Sequence, residues 1–336
     1  MDATHTLSGI VSQAGCQFQV FDLGRRVQPV DNTTFMAVEA NQAPYPYPIQ
    51  QHAVFAFAYW KEVSSPWIWF LKFPLDERGL LKQAAVGDFI RYIAEALGAV
   101  DNPEDPEDRG EMPYTYTPPD SKMAMFHALF AAQHGQQASR YYEHTQHYLS
   151  GNLEWDNWQG VGIQGIADVC SRLKSDNNTT VLRRALTHLP SEPFDAFMEC
   201  LEHTELPDSL ANRLAELLND NIPATDRDVT LIRALAGANQ RIQVEAISSW
   251  LANTVSEDGL VAIAGRCWNA LSEPALLEPY LLTLARNGNQ PLFNAIFRDL
   301  VQIPSLRMYL LPVLHGQCSP ALSNALLALQ STVKES

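Results

Sequence analysis

The chain has few of the features that would assign it quickly. Its five cysteines (Cys16, Cys170, Cys200, Cys267 and Cys318) are odd in number and far apart in 336 residues. No CxxC or finger-like spacing occurs, which argues against a disulfide framework and a structural zinc site and favours buried, reduced thiols in a cytoplasmic protein. Positive charge is scarce as well: 23 Lys and Arg face 38 Asp and Glu, a net charge of −15. An acidic surface repels phosphate backbones, and no large Lys/Arg cluster interrupts it, so nucleic acid is not an expected partner. Long apolar runs are missing too. The longest, around residues 66–73, falls far short of the about 20 residues a spanning helix needs. Met1-Asp2-Ala3-Thr4-His5-Thr6 has neither the positive start nor the apolar core of a secretory signal. A soluble cytoplasmic protein with no membrane partner is therefore expected. Phosphate-loop, dinucleotide, nucleophile-elbow and zincin motifs are all absent. No catalytic residue, cofactor or metal is nominated.

A hydrophobic content of 46% with 18% charged residues suits a folded chain, and its length favours two domains. The spacing predicts a short helix over 6–14, a strand over 17–22 and a second strand over 25–30 after a turn at Gly24. Asp31 is a natural N-cap for a helix over 33–40. Pro44-Tyr45-Pro46-Tyr47-Pro48 predicts an extended, polyproline-like loop presenting two tyrosines. Residues 52–60 and 67–73 read as strands with both faces largely apolar, so both faces need cover. A helix over 76–97, capped at Asp76, is one candidate cover. This segment, 1–100, is read as a small α+β domain with an antiparallel sheet. Residues 101–120 carry seven acids against one base, Arg109, and read as an acidic, Pro-rich linker.

From 121 onward the pattern is helical. A break is expected at Gly135, and a further helix over 160–173. Beyond about residue 178, Ser191, Asp208, Thr225, Gln240, Ser256, Ser272, Gln290, Pro304 and Ser319 each open a new helix, at steps of 14 to 18 residues. Two such helices make a unit of about 33 residues, the size of a helical hairpin repeat. Residues 121–336 are read as an all-α helical-repeat domain, loosely similar to HEAT-like α-solenoids.

Several constellations are candidates for chemistry. Asp22, Arg25 and Arg26 flank the Gly24 turn, where arginine forks can hold a carboxylate or phosphate. The competing reading pairs Arg25 or Arg26 with Asp76 or Glu77 as a structural ion pair. His127, His134, Glu143, His144 and His147 gather within one segment, but their spacing matches no known metal motif. Trp155 and Trp158 alternate with Glu154 and Asp156, as a stacking surface or as a loop anchored by buried indoles. Arg233, Arg266 and Arg298 recur at steps of 33 and 32. In a solenoid such positions line up as a ladder, either a basic stripe for an acidic partner or a set of intrarepeat ion pairs.

Phe21-Asp22-Leu23-Gly24-Arg25-Arg26-Val27, Pro44-Tyr45-Pro46-Tyr47-Pro48 and Trp69-Phe70-Leu71-Lys72-Phe73-Pro74-Leu75-Asp76-Glu77 together resemble the gammaproteobacterial domain-of-unknown-function family 3549, over the whole chain. The resemblance implies a bacterial cytoplasmic protein with no assigned activity, cofactor or partner, and it carries over no functional residue. The leading expectation is an interaction scaffold that docks another protein, or a second copy of the chain, on the helical-repeat surface, using Tyr45, Tyr47 and the Arg233/Arg266/Arg298 ladder. The alternative is an anion or small-molecule site, with or without catalysis, around Arg25 and Arg26 at the junction of the two domains.

Overall fold

Strand periodicity in 17–74 and helical periodicity beyond 119 give the chain its two halves. The computed structural model describes residues 6–98, 112–220, 226–253, 255–314, 316 and 318–334. It divides into two compact units, 1–118 with 302–304, and 119–301 with 305–336. The acidic segment 101–111 lies outside the described residues, as does Thr225.

In the first unit, β1 (Gln17–Asp22), β2 (Gln28–Val30), β3 (His52–Trp60) and β4 (Trp67–Pro74) form an antiparallel sheet in the order β2-β1-β3-β4. The register sets Val20 against Phe57, and Phe57 against Trp69. That alignment puts Phe55, Phe57, Leu71 and Phe73 on one face. Helices α1 (Leu7–Gln13), α2 (Asn32–Glu39) and α3 (Gln83–Gly98) supply Leu7, Val11, Phe35, Val38, Val86 and Phe89 to the same buried cluster. The opposite face carries Val54, Ala56, Ala58 and Trp60, which are buried too.

Local capping explains where these helices start. The Thr6 side chain accepts from the Gly9 N–H, and Asp31 accepts from the Thr34 N–H at 2.9 Å. Asp76 does not start a helix. Its carboxylate accepts from the Arg78 and Leu80 N–H groups at 2.9 and 2.8 Å, and Leu75 bridges to Leu81 around Gly79 at φ +84°. Residues 76–82 therefore form a capped turn, and α3 begins only at Gln83. The outer edge of β4 is paired as well: the Lys72 N–H donates to the Tyr114 carbonyl, and the Tyr116 N–H to the Phe70 carbonyl.

The second unit is all-α. Its first four helices are α4 (Asp120–Gln133), α5 (Tyr142–Leu149), α6 (Ile163–Ser171) and α7 (Asn178–Ala185). Next come α8 (Ser191–Leu201), α9 (Asp208–Asp220), α10 (Asp226–Ala234), α11 (Gln240–Leu251), α12 (Glu257–Arg266), α13 (Pro274–Arg286), α14 (Gln290–Gln302), α15 (Pro304–Val313) and α16 (Pro320–Lys334). Gly135, at φ +64°, ends the run of α4 well before α5 begins. Helices α4, α6, α8, α10 and α12 pack each on the next, and so do α5, α7, α9, α11 and α13. One close approach ties neighbouring turns together. A Cβ at Gly237 would collide with the Thr204 carbonyl oxygen, and the Leu206 N–H donates to the Gly237 carbonyl at 2.8 Å. No helix among the described residues is long and apolar enough to cross a membrane.

Candidate functional site

The Asp22-to-Arg26 turn is built around a carboxylate rather than around its two arginines. Asp22 ends β1 on the core face, opposite Phe55, and is fully buried. Its oxygens accept from the backbone N–H groups of Gly24, Arg25 and Arg26 at 3.2, 3.1 and 3.2 Å, and from the Tyr45 hydroxyl at 2.9 Å. A buried charge with so many donors is well satisfied. Both arginines are buried, and Arg25 Nε donates to the Pro48 carbonyl at 2.8 Å.

Two expectations about this region change. Tyr45 is not presented to solvent: it is completely buried, and Tyr47 is half-buried against it with rings 6.4 Å apart. The Pro-rich loop is folded inward, bringing the Tyr45 hydroxyl to Asp22 alongside the three peptide donors. Burial, with the Asp22 charge beside it, pushes the Tyr45 phenol well above its ordinary range. The pairing of Arg25 or Arg26 with Asp76 or Glu77 is not made either. Asp76 is held by Arg78, Nε to Oδ2 at 3.2 Å, and Glu77 is exposed.

Of the three recurring arginines in the helical unit, Arg233 and Arg266 converge on one carboxylate. Glu202 caps the C-terminal end of α8 and is fully buried. Arg233, in the last turn of α10, places Nε 2.6 Å from Glu202 Oε2, and Arg266, in the last turn of α12, places Nε 2.9 Å from Oε1. His203 Nε2 lies 3.5 Å from the same carboxylate. A carboxylate at a helix C-terminus opposes the helix dipole, whereas arginines there are favoured. Two guanidiniums from the neighbouring helices α10 and α12 resolve that conflict. Burial by itself would raise the Glu202 carboxyl, but His203, Arg266 and Arg233 more than offset this and hold it below its ordinary value. Arg298, which lies before the last turn of α14, is exposed and makes no ion pair among the described residues. Arg233 and Arg266 thus enter structural ion pairs, but these join α8 to α10 and α12, across 31 and 64 residues, and are not the intrarepeat pairs expected. Glu202 itself was not singled out by the sequence, because its partners lie 31 and 64 residues away.

The outer sides of Arg233 and Arg266 border a groove of ≈ 470 Å³ between α10 and α12, lined also by Val229, Thr230, Asp258, Val261, Ala262 and Gly265. Its charges nearly balance. Glu202 takes both arginines, Glu199 lies 3.8 Å from Arg233, and Asp258 adds another carboxylate. Val261 is 45% exposed on its rim. The groove is thus amphipathic, without an excess of positive charge.

The histidine segment does not converge. His127 packs on Phe126 with centroids 5.2 Å apart, and His134 on Phe130 at 4.4 Å. Glu143, His144 and His147 are strung along α5, with no second ligand-bearing element closing on them. No group of three metal-ligating side chains occurs among the described residues. Trp155 is half-buried, edge-on to Tyr148 at 5.5 Å and stacked on His188 at 5.3 Å. All five cysteines are free. A hydrogen bond with Cys170, together with burial, pushes the Cys200 thiol well up.

Fold and site together define a two-unit chain, a small α+β sheet unit and an all-α unit, whose polar clusters mostly serve the fold. A family model described as Protein of unknown function (DUF3549) matches residues 2–330, and the chain belongs to that family. No curated protein and no solved structure matches it.

Proposed function

We propose that the chain is a cytoplasmic docking scaffold whose helical unit is a HEAT-like α-solenoid that binds another protein. The observation that carries the reading is the α10–α12 groove. A ladder of ion pairs fixes its floor, and apolar Val229, Val261 and Ala262 line it alongside. Stacked helical pairs offer such grooves as extended binding surfaces. A partner segment would set an apolar side chain between Val229, Val261 and Ala262 and lay polar groups over Arg233 and Asp258. Neither nucleic acid nor a membrane is proposed as partner. The anion-site alternative at Arg25 and Arg26 has less support, because the chain's own Asp22 already fills that turn.

The test is affinity capture with the intact chain and with Val261→Asp, which alters the rim and leaves the ion pairs in place. The expected result is a partner recovered reproducibly by the wild type and lost by the variant, at unchanged melting temperature. A partner set that Val261→Asp leaves intact would overturn the reading. Sedimentation of the two proteins distinguishes a second copy of the chain as the occupant: self-association would then vanish in the variant.

A further inference from the structure

A different surface of the helical unit breaks the chain's acidic character. Helices α7 and α9 border a groove of ≈ 540 Å³ lined by Arg183, Arg184, Thr187, His188, Ser209, Arg213 and Glu216. The single carboxylate among them, Glu216, is taken by Arg213 at 2.9 Å. Arg183 and Arg184 are exposed, and neither guanidinium makes an ion pair among the described residues. In a chain of net charge −15, three arginines around one recess with one carboxylate between them stand out. The place of Arg183 and Arg184 in the last turn of α7 suits the helix dipole, which alone would explain two solvated charges. It does not explain what lies on the other side of them.

There a second recess of ≈ 400 Å³ shares Arg184 and His188 with the first and is lined by Leu149, Trp155, Val181 and Ala185. Trp155 and His188 stand nearly parallel, at 10°. The combined site therefore has a cationic half with two hydroxyls, Thr187 and Ser209, and an apolar half with an indole wall. Arginine forks with neighbouring hydroxyls suit a tetrahedral oxyanion, and a flat ring is favoured against an indole.

We propose that this joined groove binds a small phosphate monoester carried on a flat ring, the chemistry of a nucleoside monophosphate. The phosphoryl group lies between Arg183, Arg184 and Arg213, and the ring lies against the Trp155 face opposite the stacked His188. The chain's overall negative charge disfavours a longer polyanion, so the ligand is a free mononucleotide-like molecule and not the end of a nucleic acid strand.

Calorimetric titration of the full chain tests this with adenosine monophosphate, ribose 5-phosphate, adenosine and a 5′-phosphorylated pentanucleotide. The expected result is one-to-one binding of adenosine monophosphate, with ribose 5-phosphate and adenosine each at least about tenfold weaker. Arg183→Ser/Arg184→Ser should weaken adenosine monophosphate at least about tenfold, because charge-assisted hydrogen bonds are lost. Both side chains are exposed, so the melting temperature should fall only slightly, by what the α7 dipole loses. Undiminished binding by that variant, or no binding by the wild type, overturns the site. Equal affinity for ribose 5-phosphate overturns the ring half. Tighter binding of the pentanucleotide overturns the small-molecule assignment.

Discussion

Two buried carboxylates, Asp22 in the sheet unit and Glu202 in the helical unit, each sit beside a pair of arginines, and they are satisfied in different ways. Asp22 draws donors from the peptide N–H groups of Gly24, Arg25 and Arg26 and from a tyrosine hydroxyl. Glu202 draws them from the side chains of two later helices. The first arrangement is local and shapes a turn. The second is distant and fixes the spacing of three helices, leaving the outer edges of its arginines on a groove. Arginines next to a buried acid are thus not one kind of feature, and which atoms of them face the acid decides what remains for a partner.

The largest effect should come from removing the distant carboxylate. Glu202→Ala leaves Arg233 and Arg266 facing each other without the counter-charge they share. Breaking a buried ion pair of this sort costs about 3–5 kcal/mol, and urea unfolding of the full chain should show a loss of that size in the helical unit's transition. A loss below about 1 kcal/mol, the range of a surface pair, would make the Glu202 cluster no different from an exposed one.

The pH dependence is expected next. Folding holds the Glu202 carboxyl below its ordinary 4.5, so its contribution is complete above about pH 4.5 and is lost as the pH falls through the lower folded value. The stability gap between the wild type and Glu202→Gln should therefore narrow on acidification. A gap that stays constant from neutral pH down to about pH 3 would show that the ion pairs are not what the variant removed. The smallest effect belongs to the local carboxylate. Tyr45→Phe deletes one donor to Asp22, leaves the peptide donors in place, and should cost about 1.5–3 kcal/mol, the range for a hydrogen bond to a charged group, by the same urea assay. A cost as large as that of Glu202→Ala would erase the contrast between the two clusters.

Legibility in the sequence divides along the same line between local and distant. Helix starts at Ser191, Asp208, Gln240, Gln290 and Pro304 coincide with the first residues of α8, α9, α11, α14 and α15, and β1 and β3 run over the expected 17–22 and 52–60. Caps and period-two alternation act within a few residues, so they are written in adjacent letters. Asp76 misled for a related reason: an aspartate that accepts the N–H groups two and four residues on closes a turn as readily as it caps a helix. The inward Tyr45 and the Glu202 cluster were not visible, because proline spacing says nothing about which face of a loop meets the core. Recurrence at 33 residues did point to Arg233 and Arg266, but not to the acid they share. The α7–α9 groove was missed since Arg183 and Arg184 gain their meaning only from Arg213 and Trp155, which fold beside them from elsewhere.

The edges of the sheet have a consequence for recognition. On one side β2 is only three residues long and contains Pro29, which has no N–H to offer. On the other, the N–H groups of Lys72 and Tyr116 are engaged across the β4 edge, joining it to the segment around Tyr114. An extended peptide that joins a sheet needs a row of open N–H and C=O groups, and among the described residues neither border supplies a long one. Strand addition, a common way for a small sheet to capture a peptide or polymerise with its own copies, is thereby disfavoured for this unit.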